Sequence, residues 1–202
     1  MGQKGKEILM HNFKAILKIS ILTIAFLGMI IYMTAKPPVK VDTTTSTINM
    51  KYMPKMVKLL DDDIEYATSS IIKNGSVIVV TNHDSIAVVN TLDKYIENVV
   101  IVTNISAAPW FVKQWIIPEK LIALKADSKT AWVYDESGIV KNFFKIKSDN
   151  AATYEVFLMK DNQIAKLFDG KVKDGALDGS MSVEEIEKLN LEIASKIKQI
   201  KG

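Results

Sequence analysis

The chain has 202 residues, is 48% hydrophobic and contains no cysteine. That allows one well-packed domain with an appendage, and it excludes disulfides, thiolate catalysis, zinc–thiolate sites and iron–sulfur clusters. All 26 basic residues are lysines; Lys4, Lys6, Lys14 and Lys18 with Glu7 give a leader of charge +3, and the other 22 lysines are balanced by 22 acids. Without arginine forks or a basic field on the folded part, no nucleic-acid partner is expected.

Residues 1–18 read as a cytoplasmic basic leader. From Ile19 to Ala35 no charge interrupts the apolar run, and Ala15 to Leu17 extend it beyond Lys18, whose stem can snorkel. The segment is thus read as a single transmembrane signal anchor. The alternative is a cleaved signal peptide and a soluble periplasmic product, but Met33 stands where a small residue is wanted two before Ala35. The lysines ahead of the span leave the N-terminus inside, although Lys36 and Lys40 follow it. In a bacterium this puts the rest of the chain in the periplasm, attached to the inner membrane. Residues 36–53, opened by Lys36-Pro37-Pro38, read as a tether, within which 39–50 is an extended polar linker or an edge strand, and 54–202 as the exported domain.

Within that domain, Val57, Leu60, Ile64, Ala67 and Ile71 recur every three or four residues between Pro54 and Asn74, which predicts an amphipathic helix closed by Asn74-Gly75. Asp61-Asp62-Asp63 reads as a solvated face, because consecutive helical side chains diverge and cannot converge on one cation. Val77–Val80 and Val99–Val102 are continuous apolar runs, as expected of neighbouring strands buried on both faces of a parallel sheet. Ile86, Val89, Leu92 and Ile96 between them predict a helix capped by Asp84 or Ser85. Pro109 is placed to open a short helix that Pro118 limits.

Further on, residues 131–134, a DESG turn and residues 139–146 suggest strand, turn and returning strand. Residues 154–159 and 164–168 flank KDNQ as a hairpin. Ser182 with Glu185 forms a capping box, Met181 and Ile186 a hydrophobic staple, and Val183, Ile186, Leu189, Ile193, Ile197 and Ile200 one face of a terminal helix.

The fold expected is α/β, a mixed central sheet flanked by helices. This order of elements resembles thioredoxin-like domains of the thiol-reductase and peroxiredoxin branch. The stretches NVVIVTNISAAPWFVKQWI, WVYDESGIVKNFFKI, YEVFLMKDNQIAKLFDGKVKDGAL and SVEEIEKLN are similar to the YtfJ-type family of small exported bacterial proteins, with Lys173-Asp174-Gly175-Ala176-Leu177 the most specific piece. The chain departs from that family in its retained-looking span and in the DGSM that separates this piece from the last helix. The resemblance covers roughly 75–200 and implies an exported thioredoxin-like fold without a redox dithiol.

In redox members of that fold, the turn after the first core strand carries the nucleophilic cysteine, and a cis-proline faces it. Here the corresponding segments are Thr81-Asn82-His83-Asp84-Ser85 and Ala151-Ala152-Thr153, so no thiol oxidoreductase is expected. His83, Asp84 and Ser85 cannot form a triad from adjacent positions; Asp84 and Ser85 are read as helix-capping and His83 as a solvated loop residue. His11 lies in the leader and cannot join His83 in a metal site. No cofactor is expected. Pro109, Trp110, Phe111 and Trp115 are the candidates for contact with a protein partner of the membrane or periplasm. The function expected is a redox-silent binding or assembly module of the cell envelope. The alternatives are small-ligand or metal binding, or non-thiol catalysis, at the His83 turn.

Overall fold

The computed structural model describes residues 18, 20, 22–27 and 47–201, except 63, 116 and 127. The chain divides into two units, Met1–Pro37 and Pro38–Gly202, each taken by itself. In the first, residues 18, 20 and 22–27 are helical. Most of the expected anchor, 19–35, and most of the tether lie outside the described residues. Among those described, no helix is long and apolar enough to cross a membrane.

The second unit is built on a six-stranded mixed sheet ordered β1-β8-β7-β4-β5-β6. Its strands are β1 (Thr47–Asn49), β4 (Val77–Thr81), β5 (Val99–Asn104), β6 (Ala131–Asp135), β7 (Thr153–Lys160) and β8 (Gln163–Lys171). β4, β5 and β6 run parallel, with Val77 opposite Val99 and Val100 opposite Ala131; β7 is antiparallel to β4. The all-apolar runs are explained by helices and loops on both faces. Val77, Val79, Val99, Ile101 and Trp132 enter one core cluster, while Ile78, Val80, Val100, Val102 and Val133 enter the other. Successive strand residues point to opposite faces, so both sets are needed.

Helices α1 (Thr68–Ile71), α2 (His83–Val89), α3 (Trp110–Trp115), α4 (Ile117–Lys125), α5 (Ile139–Phe143) and α6 (Val183–Lys201) complete the unit. Ile86, Val89, Leu92 and Ile96 are all buried as their spacing predicts. The β7–β8 turn places Asp161 and Asn162 at φ of 51° and 60°, the double left-handed geometry of a two-residue hairpin loop. Ser182 and Glu185 make the reciprocal capping bonds at 3.2 and 2.7 Å.

Four expectations are corrected. The helix predicted over 54–74 is instead a small antiparallel pair, β2 (Met56–Lys58) with β3 (Glu65–Ala67), followed by α1. Ile64 is 61% exposed, so the three-and-four spacing marks no buried face. Asp62 accepts from Ile64 N–H and Tyr66 Oη–H and fixes a turn, while Leu60 N–H donates to Trp132 O at 2.9 Å. Local side-chain bonds and pairing with β6 outweigh a helical period.

The second correction concerns 139–146, which opens as α5, not as a strand. Gly138 sits at φ 75° and the Asp135 carboxylate accepts from Lys141 N–H at 2.7 Å, so the chain turns into a helix whose first amides are already bonded. Third, the cap of α2 is Asn82, which forms a capping box with Ser85. Fourth, the terminal stripe is shorter than predicted: Val183 and Ile200 are exposed, and Asn190 is buried in its midst with Nδ2 donating to Val88 O at 2.6 Å. Pro118 lies in the first turn of α4, where a missing N–H costs nothing.

Candidate functional site

β4, β5 and β6 finish side by side, and each delivers a polar side chain to the same end of the sheet: Asn82 just after β4, Asn104 closing β5 and Asp135 closing β6. All three are buried. Asn104 Nδ2 donates to Asn82 Oδ1 at 2.6 Å, and Asn104 Oδ1 accepts from Ser106 Oγ–H at 2.7 Å. Asn82 Nδ2 lies 3.0 Å from both Asn150 O and Thr153 Oγ1, and 3.3 Å from Ser148 O. Burial pushes the Asp135 carboxyl above the ordinary range, opposed by the N–H groups of Lys141, Val140, Gly138 and Ile139. The polar groups at this end are thus bonded to the chain itself, the condition under which a buried polar cluster holds one geometry.

The segment 151–153 faces the turn at 82–85. Asp84 N–H donates to Ala151 O at 2.8 Å, Ser85 N–H to the same oxygen at 3.2 Å, and Asn82 N–H to Thr153 O at 3.2 Å. Ser85 Oγ lies 2.8 Å from Thr153 O. The described residues contain no cis peptide bond. Asp84 divides its carboxylate between two partners: Oδ1 is 3.2 Å from His83 Nδ1, and Oδ2 accepts from Gly175 N–H at 2.9 Å. The Lys173–Leu177 piece, singled out on sequence alone, is therefore docked against the His83 turn. Ser85 does help cap α2, as read; Asp84 instead ties distant segments together. His83 is not the solvated loop residue expected: it is the first residue of α2, and its side chain is 44% exposed.

Two concavities follow. Asn82, His83, Asn104, Ile105, Ala108 and Ile117 contribute to a largely apolar cleft of about 290 Å³. A larger groove, about 540 Å³, is lined by Leu60, Trp110, Pro118, Ile122 and Tyr134, with Lys58, Lys113, Asp61, Asp62 and Glu136 at its polar positions. Trp110 is 47% exposed and meets Phe111 edge to face at 6.2 Å. Tyr134 donates to Lys113 O at 3.1 Å, and burial, then the Glu136 charge, pushes its pKa up to about 12. Pro109 is half-buried ahead of α3. Trp115 closes that helix, and its side chain lies outside the described residues. Trp110 opens α3 directly after Ala108 and Pro109, and Ala108 lines the cleft together with His83, so both lie at the end of the sheet where β4 and β5 finish; the cleft and the groove have no lining residue in common.

Asn82 and Asn104 escaped the sequence reading, although Asn-x-x-Ser at a strand end is a legible capping signal. Among the described residues, no cluster of three or more histidines, aspartates and glutamates is placed to hold a metal ion. No family model and no curated protein matches this chain.

Proposed function

We propose that the chain is a redox-silent, thioredoxin-like module, held at a bacterial inner membrane by residues 19–35 and binding a protein partner in the periplasm through the Trp110 groove. The observation that carries the reading is the closed turn: 82–85 and 151–153 face one another as the two halves of a thiol site do in that fold, yet Asn82 and Ser85 fill the space with internal bonds. The βαβ unit, hairpin and terminal helix on one mixed sheet support the fold assignment. A half-exposed tryptophan in a groove of mixed polarity suits a partner anchor, because buried aromatic area and rim charges divide affinity from specificity.

The test is a mild-detergent purification of the full chain beside Trp110→Ala. The variant is expected to lose a partner that cross-links to the wild type while unfolding at the same temperature. An unchanged cross-linked partner would remove the groove from the account.

The 290 Å³ cleft beside His83 favours a second reading, capture of a small apolar ligand. A ligand selective for the folded state must raise the unfolding temperature. Its effect should disappear in Ile117→Lys and persist in Trp110→Ala; the reverse pattern contradicts this reading.

A further inference from the structure

The opposite end of the sheet is assembled from the segment after β1, the turn before β4, the β7–β8 turn and the end of α6. Met50 N–H donates to Asn162 O at 3.0 Å, Gly75 N–H to Met159 O at 2.8 Å, and Asp161 N–H to Asn74 Oδ1 at 3.0 Å. Lys201 Nζ reaches Gly75 O at 3.2 Å. Along 50–57, Met53 and Val57 are buried in the core, so the residues flanking them face solvent. Tyr52 is 76% exposed, Met56 46%, and Lys51 and Lys55 are exposed beside them. Lys73, ahead of the turn into β4, and Lys160, the last residue of β7, are exposed.

What marks this end is the gathering of lysines around exposed apolar side chains, since among the described residues lysines outside ion pairs, such as Lys94, Lys129 and Lys188, occur elsewhere in the unit too. Lys120, Lys125, Lys141, Lys166 and Lys171 each pair with an acid. Among the described residues no ion pair involves Lys51, Lys55, Lys73 or Lys160. The acids nearby include Asp161 in the hairpin turn, Glu97 beside Asn98, whose carbonyl accepts from Val77 N–H, and Glu65, exposed on β3 opposite Lys58. The domain is neutral as a whole, yet this end carries unneutralised lysines around a tyrosine and a methionine.

We propose that the surface formed by Lys51, Tyr52, Lys55, Met56, Lys73 and Lys160 docks on the anionic headgroups of a lipid bilayer. Lysine stems and a tyrosine ring suit that layer, since each has an apolar body and a polar tip, and several lysines together draw an anionic surface within a Debye length. Nucleic acid fits less well, because lysines lack the bidentate fork. The inference rests on the anchor reading in one respect. Residues 36–46, eleven in all, span at most about 40 Å, which keeps the domain within reach of the bilayer that the anchor would cross.

Because the chain lacks cysteine, one introduced thiol is a unique labelling site. Ser69→Cys is exposed in α1, whose Thr68 N–H bonds Lys55 O at 2.9 Å, and Ser137→Cys lies by Asp135 at the other end of the sheet. Each full-length variant is labelled with an environment-sensitive dye and reconstituted into phosphatidylcholine vesicles with and without phosphatidylglycerol. Quenching by a lipid-borne quencher is expected at Ser69→Cys and not at Ser137→Cys, only in the anionic vesicles. It should fall at least several-fold with added salt or with Lys51→Glu/Lys55→Glu.

Equal quenching in neutral and anionic vesicles, indifference to charge reversal, or quenching that follows protein density and so reports a second copy, would overturn the proposal. Flotation on pure phosphatidylcholine separates the two ideas. A chain that floats there without charge-dependent quenching keeps the anchor and loses the docking. A chain that floats only on anionic vesicles loses the anchor and keeps the docking.

Discussion

Where β4, β5 and β6 end, Asn82, Asn104 and Asp135 are buried and bonded to the chain itself; at the end carrying the β7–β8 turn, Lys51, Lys55, Lys73 and Lys160 stand exposed without ion-pair partners among the described residues. The first arrangement specifies geometry, because removing one member leaves the others desolvated and unpaired. The second specifies little about the fold, since exposed charges contribute little to stability, and it is free to serve contact. One end of the sheet is architecture and the other is surface.

Substitutions separate the two ends, and the largest effect falls on Asn82. Asn82→Leu strands Asn104 Nδ2 and the carbonyl of Ser148 and removes a donor from Thr153 Oγ1, and is expected to cost about 3–5 kcal/mol in denaturant unfolding. A loss near zero would mean that the network organises nothing. Gly170→Ala comes next: the added Cβ would overlap the ring of Tyr154, which lies across it from β7. A cost of about 1–3 kcal/mol is expected, and smaller in a Tyr154→Ala background.

Asp84→Ala frees Gly175 N–H and His83 together. The expected cost is about 1–2 kcal/mol, with faster amide exchange at Gly175 as the local signature. Asp135 gives a smaller effect with a definite sign. Its carboxyl is raised by burial above its unfolded value, so its contribution is complete below the unfolded pKa and is lost as pH rises through the folded one. The wild type should therefore gain stability relative to Asp135→Asn as pH is lowered from neutral through the carboxylate range; a constant difference contradicts this. Lys51→Glu/Lys55→Glu closes the series, with a change within about 0.5 kcal/mol of zero.

The apolar runs at 77–80 and 99–102, the turn at 161–162 and the Ser182 box were legible because each carries its whole cause within a few residues. The errors fall where the cause lies elsewhere. Val57, Leu60 and Ala67 satisfied a helical period by coincidence, and pairing of Leu60 with Trp132, 72 positions on in the chain, decided the outcome. In 139–146 the decisive group is the Asp135 carboxylate on the preceding strand. At the site, the absence of any thiol follows from composition alone, while the facing of 82–85 and 151–153 was expected only by way of the resemblance. The Asp84–Gly175 bond joins residues 91 positions apart and left no local signal.

The central claim is that the turn at 82–85 is a closed structural joint. Native-state hydrogen exchange reads it directly, through the amides of Asn82, Asp84 and Ser85 that donate to Thr153 and Ala151. Protection approaching that of Val79 and Ile101 in the central strands is the predicted result. Exchange at the rate of an exposed loop, with β4 and β5 still protected, would show a turn that opens to solvent and would contradict the account.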